Sequence, residues 1–179
     1  MQTAAQVVAF WTGAGPAKWF ARDDAFDARF RALFLDEHHA AASRAREQWL
    51  EQAEGALALM LLLDQFPRNC FRGTAHAYAT DGLARHYATR AVEEGLDRQL
   101  VPKLRAFIYL PFEHSEDPLD QDRSLAMFDA LGDRDYLHYA REHRDIIRRF
   151  GRFPHRNAVL GRMPSVAELE FLADGGFAG

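Results

Sequence analysis

The sequence predicts an all-α fold of seven or eight helices. Two observations carry that prediction. Apolar residues recur at helical spacing through the long segments, and no stretch alternates with period two between hairpin turns. Helix start and stop signals also divide the chain into helix-length pieces joined by short loops.

Thr3 and Gln6 form a T-x-x-Q capping box opening a first helix, with Val7, Phe10 and Trp11 on its apolar side. Gly13–Pro16 breaks it. Asp23 caps a second helix, whose face is Phe26, Phe30, Leu33 and Phe34, and the pattern allows it to run to about Trp49. Gly55–Phe66 is apolar almost all round and reads as a helix buried on every side. Its Ala, Leu and Met composition disfavours a strand. Pro67 is expected to end it, with Arg68–Gly73 as a loop. Thr74 is a cap for the next helix, and Gly95 suits its end. Asp97 opens another with Leu100, Leu104, Phe107 and Ile108 inward, closed by Pro111. Asp117-Pro118 is a cap followed by a first-turn proline, and Gly132 stops that helix. Asp135 starts the next, with Tyr136, Ala140, His143, Ile147 and Phe150 in its stripe and Gly151 at its end. Ser165 and Glu168 make a second capping box, with Leu169 and Leu172 inward, and the Gly175–Gly179 tail is expected to fray.

At 179 residues, 48% hydrophobic and 12% aromatic, the chain suits a packed globule, and it reads as a single domain over 1–179. The net charge of −4 argues against nucleic acid or an anionic membrane as partner. That charge is uneven. Residues 141–162 hold seven arginines against Glu142 and Asp145, a local +5 that leaves −9 elsewhere. The single cysteine, Cys70, excludes an intrachain disulfide. With no signal-peptide pattern and no bilayer-length apolar run, the expected setting is cytoplasmic.

Arg148–Arg162, RRFGRFPHRNAVLGR, interleaves five arginines with apolar residues. Guanidinium forks bind carboxylates and phosphates bidentately, so the segment is expected to line the mouth of a pocket. Three polar clusters stand out. The first holds Asp64, Gln65, Arg68, Asn69 and Arg72. The second is Glu113–Asp117, with His114 and Glu116. The third holds His143, Arg149, Arg152, His155, Arg156 and Asn157. If they converge, Asp64, Arg68, Asn69, Arg72, Arg152, His155, Arg156 and Asn157 bind an anion, and His114, Glu116 and His143 move a proton. The competing reading makes the acids structural partners of the arginines, and His143 a core histidine. QFPRNCFRG and RFPHRNAVLGR echo one another, which is either coincidence or the mark of two helical hairpins ending in similar loops that face each other.

Asp36-x-x-His39 and Asp135-x-x-His138 lack the Glu of a di-metal bundle, and His38–His39 reads as wet surface, so no metal or cofactor is expected. Cys70 has no local base and reads as inert. Phosphate-loop, dinucleotide, zinc-protease and nucleophile-elbow motifs are absent.

Several phrases together resemble the bacterial family known as domain of unknown function 924. They are Phe10-Trp11, Trp19-Phe20, LDQFPRN from Leu63, PFEHSED from Pro111 and FGRFPHRN from Phe150. The resemblance implies paired antiparallel helices in a tetratricopeptide-like superhelical bundle, and implies no reaction. The sequence itself leaves two functions open. One is a pocket for a small anionic molecule. The other is a helical scaffold for an acidic peptide or protein.

Overall fold

The computed structural model describes residues 2–177. Among these residues every regular element is helical, and no helix is long and apolar enough to cross a membrane. The contacts divide the chain into two compact units. The first takes in the residues up to Arg72 together with His76–Pro111. The second holds Gly73–Ala75 and the residues from Phe112 onward.

In the first unit, α1 (Ala4–Ala14) opens with the Thr3/Gln6 capping box. After the short α2 (Pro16–Trp19), Asp23 caps α3 (Asp24–Ala42) by accepting from the Ala25 and Phe26 N–H groups. Phe26, Phe30 and Phe34 are buried, while Leu33 lies at the margin, 39% exposed. α3 stops at Ala42 rather than near Trp49, because the chain turns left-handed at Arg44 (φ 64°). A 3-10 turn, Glu47–Glu51, leads to the buried rod.

That rod is α4 (Ala53–Met60), a π-helical turn (Leu61–Gln65) and α5 (Phe66–Cys70), all in right-handed conformation. Gly55 through Pro67 is buried without a break. A Cβ on Gly55 would strike the Trp49 carbonyl, so only glycine lets the preceding turn approach so closely. Trp11, Phe30, Phe66 and Phe107 are fully buried around the rod's unit, each contributing about 1.5–3 kcal/mol.

Pro67 does not end the helix, contrary to the sequence expectation. The π turn redirects the Phe66 N–H to the Leu61 carbonyl, and Pro67 has no N–H. The Leu62 and Leu63 carbonyls thus lose their regular α-helical donors. Side chains replace them: His38 Nδ1 reaches the Leu62 oxygen at 2.9 Å and Thr80 Oγ1 the Leu63 oxygen at 2.5 Å. Arg68 Nη1 donates to the Asp64 carbonyl at 2.9 Å. A helix can therefore pass through proline, since the buried acceptors are satisfied from outside the ladder. The same bond corrects His38, which is fully buried rather than on a wet surface.

Thr80, not Thr74, precedes α6 (Asp81–Glu93), which packs on α4. Asp97 lies in a 3-10 turn and accepts the Tyr109 hydroxyl at 2.7 Å instead of capping. α7 (Pro102–Glu113) keeps Pro111 within it.

In the second unit, Asp117 caps α8 (Pro118–Leu131), which ends on left-handed Gly132. α9 (Arg134–Phe150) is capped by Asp133, two residues before the expected Asp135, and ends on left-handed Gly151. The short connection makes α8 and α9 an antiparallel hairpin. Pro154–Arg156 forms a 3-10 turn, and the Ser165/Glu168 box opens α10 (Val166–Ala173). In α10 the buried residue is Glu168, and Leu169 is 53% exposed. The tail does not fray as far as Phe177: the Gly176 N–H bonds the Phe171 carbonyl at 2.9 Å, and Phe177 packs on His143. Ala178 and Gly179 lie outside the described residues.

Replacing Thr80 with Val deprives the buried Leu63 carbonyl of its donor. It should cost about 1–3 kcal/mol in urea unfolding, whereas Ser, which keeps the hydroxyl, should recover most of that loss.

Candidate functional site

The first cluster lies in the first unit, where each of its charges meets a partner. Asp64, at the end of the most apolar stretch, is 1% exposed. It accepts Gln65 Nε2 at 2.7 Å and lies 3.0 Å from Arg68 Nη1. Arg68 also forks onto Asp81 at 2.9 and 3.0 Å. Asn69 and Arg72 both donate to the buried Asp27, at 2.9 and 3.0 Å. Burial and the Asp27 carboxylate push the Cys70 thiol up to about 12, so it stays protonated.

The second and third clusters meet in the second unit. The turn after α7 is locked from α8: Gln121 Nε2 donates to the Glu113 and Ser115 carbonyls at 2.6 and 2.7 Å, and Ser115 Oγ donates to Asp120. Beyond that turn, Glu116 Oε1 accepts the Phe153 N–H at 2.8 Å. Arg162 grips both Glu116 oxygens at 2.7 and 3.0 Å, and its remaining contacts go to Asn157 Oδ1 and the Phe153 carbonyl. Although partial burial opposes it, Arg162 and the Phe153 N–H hold the Glu116 carboxyl below its ordinary range. Glu116 is thus a brace between two loops and is ill placed to give up a proton. Arg152 is similarly forked onto Glu168, at 2.6 and 2.8 Å, and that bond above all holds Glu168 far below its ordinary range.

His143 is 5% exposed and 2.8 Å from the Tyr139 carbonyl through Nδ1, which must therefore carry the proton. Burial, with His114, Arg156 and His155 adding to it, lowers His143 to about 3. An imidazole held there is neutral at pH 7 and a weak proton acceptor. Its ring lies 6.4 Å from that of His114 and 4.5 Å from Phe177, which also touches His155. The buried Arg156 guanidinium lies 4.4 Å from the centre of the Phe153 ring, and Asn157 is buried beside this turn.

Other features were not anticipated from sequence. Asp27, Asp81, Glu168 and Arg162 complete the ion pairs. Asp27 could have been found, since with Phe30, Phe34, Glu37, His38 and Ala41 it falls on the buried stripe of α3. An open groove of about 440 Å³ also runs along α9 toward α10. His138, Arg141, Glu142, Asp145 and Arg149 line it, over Ile146, Phe150 and Phe171. Arg144 and Arg148 reach Asp122, at 3.9 and 3.2 Å. Among the described residues, Arg141 and Arg149 form no ion pair with the groove's Glu142 or Asp145 or with another carboxylate; Arg149 lies over the Phe150 and Phe171 rings at 4.7 and 5.7 Å.

His38 is also lowered, to about 4, chiefly by burial. Unfolded histidine titrates near pH 6.5. From there down to about pH 4 the unfolded chain binds protons that folded His38 and His143 refuse, so stability rises with pH in that window and falls on acidification. The urea midpoint should be lower at about pH 5 than at about pH 7, and His143→Leu should shrink that difference.

Residues 7–176 match the family described as bacterial protein of unknown function, DUF924. A solved structure of a protein of unknown function from Agrobacterium tumefaciens is 56% identical, with a TM-score of 0.94, and the match covers 96% of this chain and 97% of that one. No curated protein matches the chain. With nearly its whole length matched, the chain belongs to the DUF924 family of bacterial proteins.

Proposed function

We propose that this protein binds a small anionic ligand in the open groove along α9 of its second unit. One observation carries the reading. The arginines forked onto Asp81, Glu116 and Glu168 already hold their anions, whereas Arg141 and Arg149 face the groove without a carboxylate partner among the described residues. His138 lines the same groove, and Phe150 and Phe171 give it an apolar floor. Guanidinium groups over an aromatic floor suit a carboxylate or phosphate joined to a flat or apolar body. Glu142 and Asp145 border the groove and would exclude ligands of high negative charge.

The groove's openness favours a second reading as well, an acidic peptide lying along α9. Exposed Val166 and Leu169 on α10 offer apolar contact for such a chain.

The test is a thermal-shift and calorimetric screen of aromatic carboxylates, phosphates and acidic peptides. The Arg141→Ala, Arg149→Ala double variant should weaken the best binder at least about tenfold, the worth of a charge-assisted bond of roughly 1.4 kcal/mol or more. Its unfolding midpoint should barely move, because both side chains are exposed. Undiminished binding by that variant, or no binder at all, would remove the reading.

A further inference from the structure

A different set of groups, in the first unit, surrounds the bond that joins His38 to the buried rod. His38 Nδ1 lies 2.9 Å from the Leu62 carbonyl. A carbonyl only accepts, so Nδ1 carries the proton and neutral His38 presents a lone pair at Nε2. That nitrogen lies 2.9 Å from His76 Nε2. The hydrogen between them must then belong to His76, which leaves His76 Nδ1 bare. His38 is fully buried and resists a second proton. Any proton entering the pair settles on His76 Nδ1, without breaking either hydrogen bond.

The surroundings of His76 are basic. α3 contributes His38, His39 and Arg31, and the segment after α5 contributes Phe71, whose ring lies 3.9 Å from that of His76. Arg31 lies 4.5 Å from the centre of the Phe71 ring and gives one nitrogen to the Cys70 carbonyl. The His39 ring is 6.1 Å from His76. Besides burial, the charges acting on His76 are those of His39 and Arg31, and those acting on His38 are His76, His39 and Arg31. All are basic. Arg31 and His39 are exposed. A cation would be repelled by Arg31, and among the described residues no three His, Cys, Asp or Glu side chains stand as a metal-holding group. An anion is the missing complement.

We infer that Arg31, His39 and His76 form a binding site for a small tetrahedral oxyanion, such as the phosphate group of a soluble metabolite, taken up together with one proton on His76 Nδ1. Arg31 supplies a permanent charge and donors. Protonated His76 donates from Nδ1 while its Nε2 hydrogen stays on His38. Phe71 gives the ligand's body an apolar surface. Binding and proton uptake are linked, so affinity increases as pH falls toward the value at which free His76 titrates.

Inorganic sulfate is the probe, because it stays dianionic across the range and all titration then belongs to the protein. Nitrogen-15 spectra of the histidine rings in the full chain read each tautomer. At about pH 8, His38 should show Nδ1–H and His76 Nε2–H. Sulfate at about pH 6 should convert His76 Nδ1 from bare to protonated and leave the His38 tautomer unchanged. Calorimetry should show affinity rising by up to about tenfold per unit of pH lowered. Arg31→Ala and His39→Ala should each lose most of that affinity without lowering the unfolding midpoint. The Arg141→Ala, Arg149→Ala variant should keep the full response, which separates this site from the α9 groove. Sulfate that leaves the His39 and His76 resonances unmoved would overturn the inference. So would equal affinity at both pH values, binding to anionic lipid vesicles but not to sulfate, or stoichiometric capture of zinc at the His38–His76 pair.

Discussion

An acceptor withdrawn from water must be given a donor, and in this chain guanidinium groups supply many of them. Asp27 and Asp64 in the first unit, and Glu116 and Glu168 in the second, are drawn into packed surroundings, and each is answered by an arginine. Backbone carbonyls obey the same rule. The π turn and Pro67 release two carbonyls from the helical ladder inside the most buried rod, and His38 and Thr80 take them up. Once these demands are met, the positions of α3, α6 and the rod are largely fixed, since the donors come from elements far apart in sequence.

Much of the fold was legible because it is written locally. Thr3/Gln6 and Ser165/Glu168 form the capping boxes that their spacing predicts, and Gly132 and Gly151 stop their helices in the left-handed conformation. The rod's burial follows from its unbroken apolar run. Proline misled, because its effect on a helix depends on whether another side chain can satisfy the carbonyls that it strands. Thr80 is 17 residues away from the one it serves, and no local pattern announces it. The echo between QFPRN and RFPHRN misled in the same way. Phe66 continues a helix, whereas Gly151 turns the chain at φ 70° and Phe153 gives its N–H to Glu116.

The candidate site was legible only in its ingredients. Clusters of Arg, His and Asn could be picked out, but not which arginines were already engaged. The partner of Asn69 and Arg72 lies more than forty residues earlier, at Asp27, and Arg152 finds Glu168 across a loop. In the groove, Arg141 sits mid-helix on what reads as an ordinary solvated face, whereas Arg149, in the last turn of α9, was already in the third cluster. His143 fell correctly on an apolar stripe, and its burial makes it a core residue that stays neutral. What distinguishes a braced arginine from an available one is long-range pairing, which a single sequence does not display.

The claim that the arginine-rich loops chiefly serve buried acids is most directly tested by following the side-chain carboxyl carbons of Glu116 and Glu168 by carbon-13 spectroscopy during acidification. If Arg162 and Arg152 hold them as described, both signals should stay at the ionised position through the range near pH 4.3 where free glutamate titrates, Glu168 more firmly than Glu116. Titration of both at the ordinary glutamate value would contradict the account.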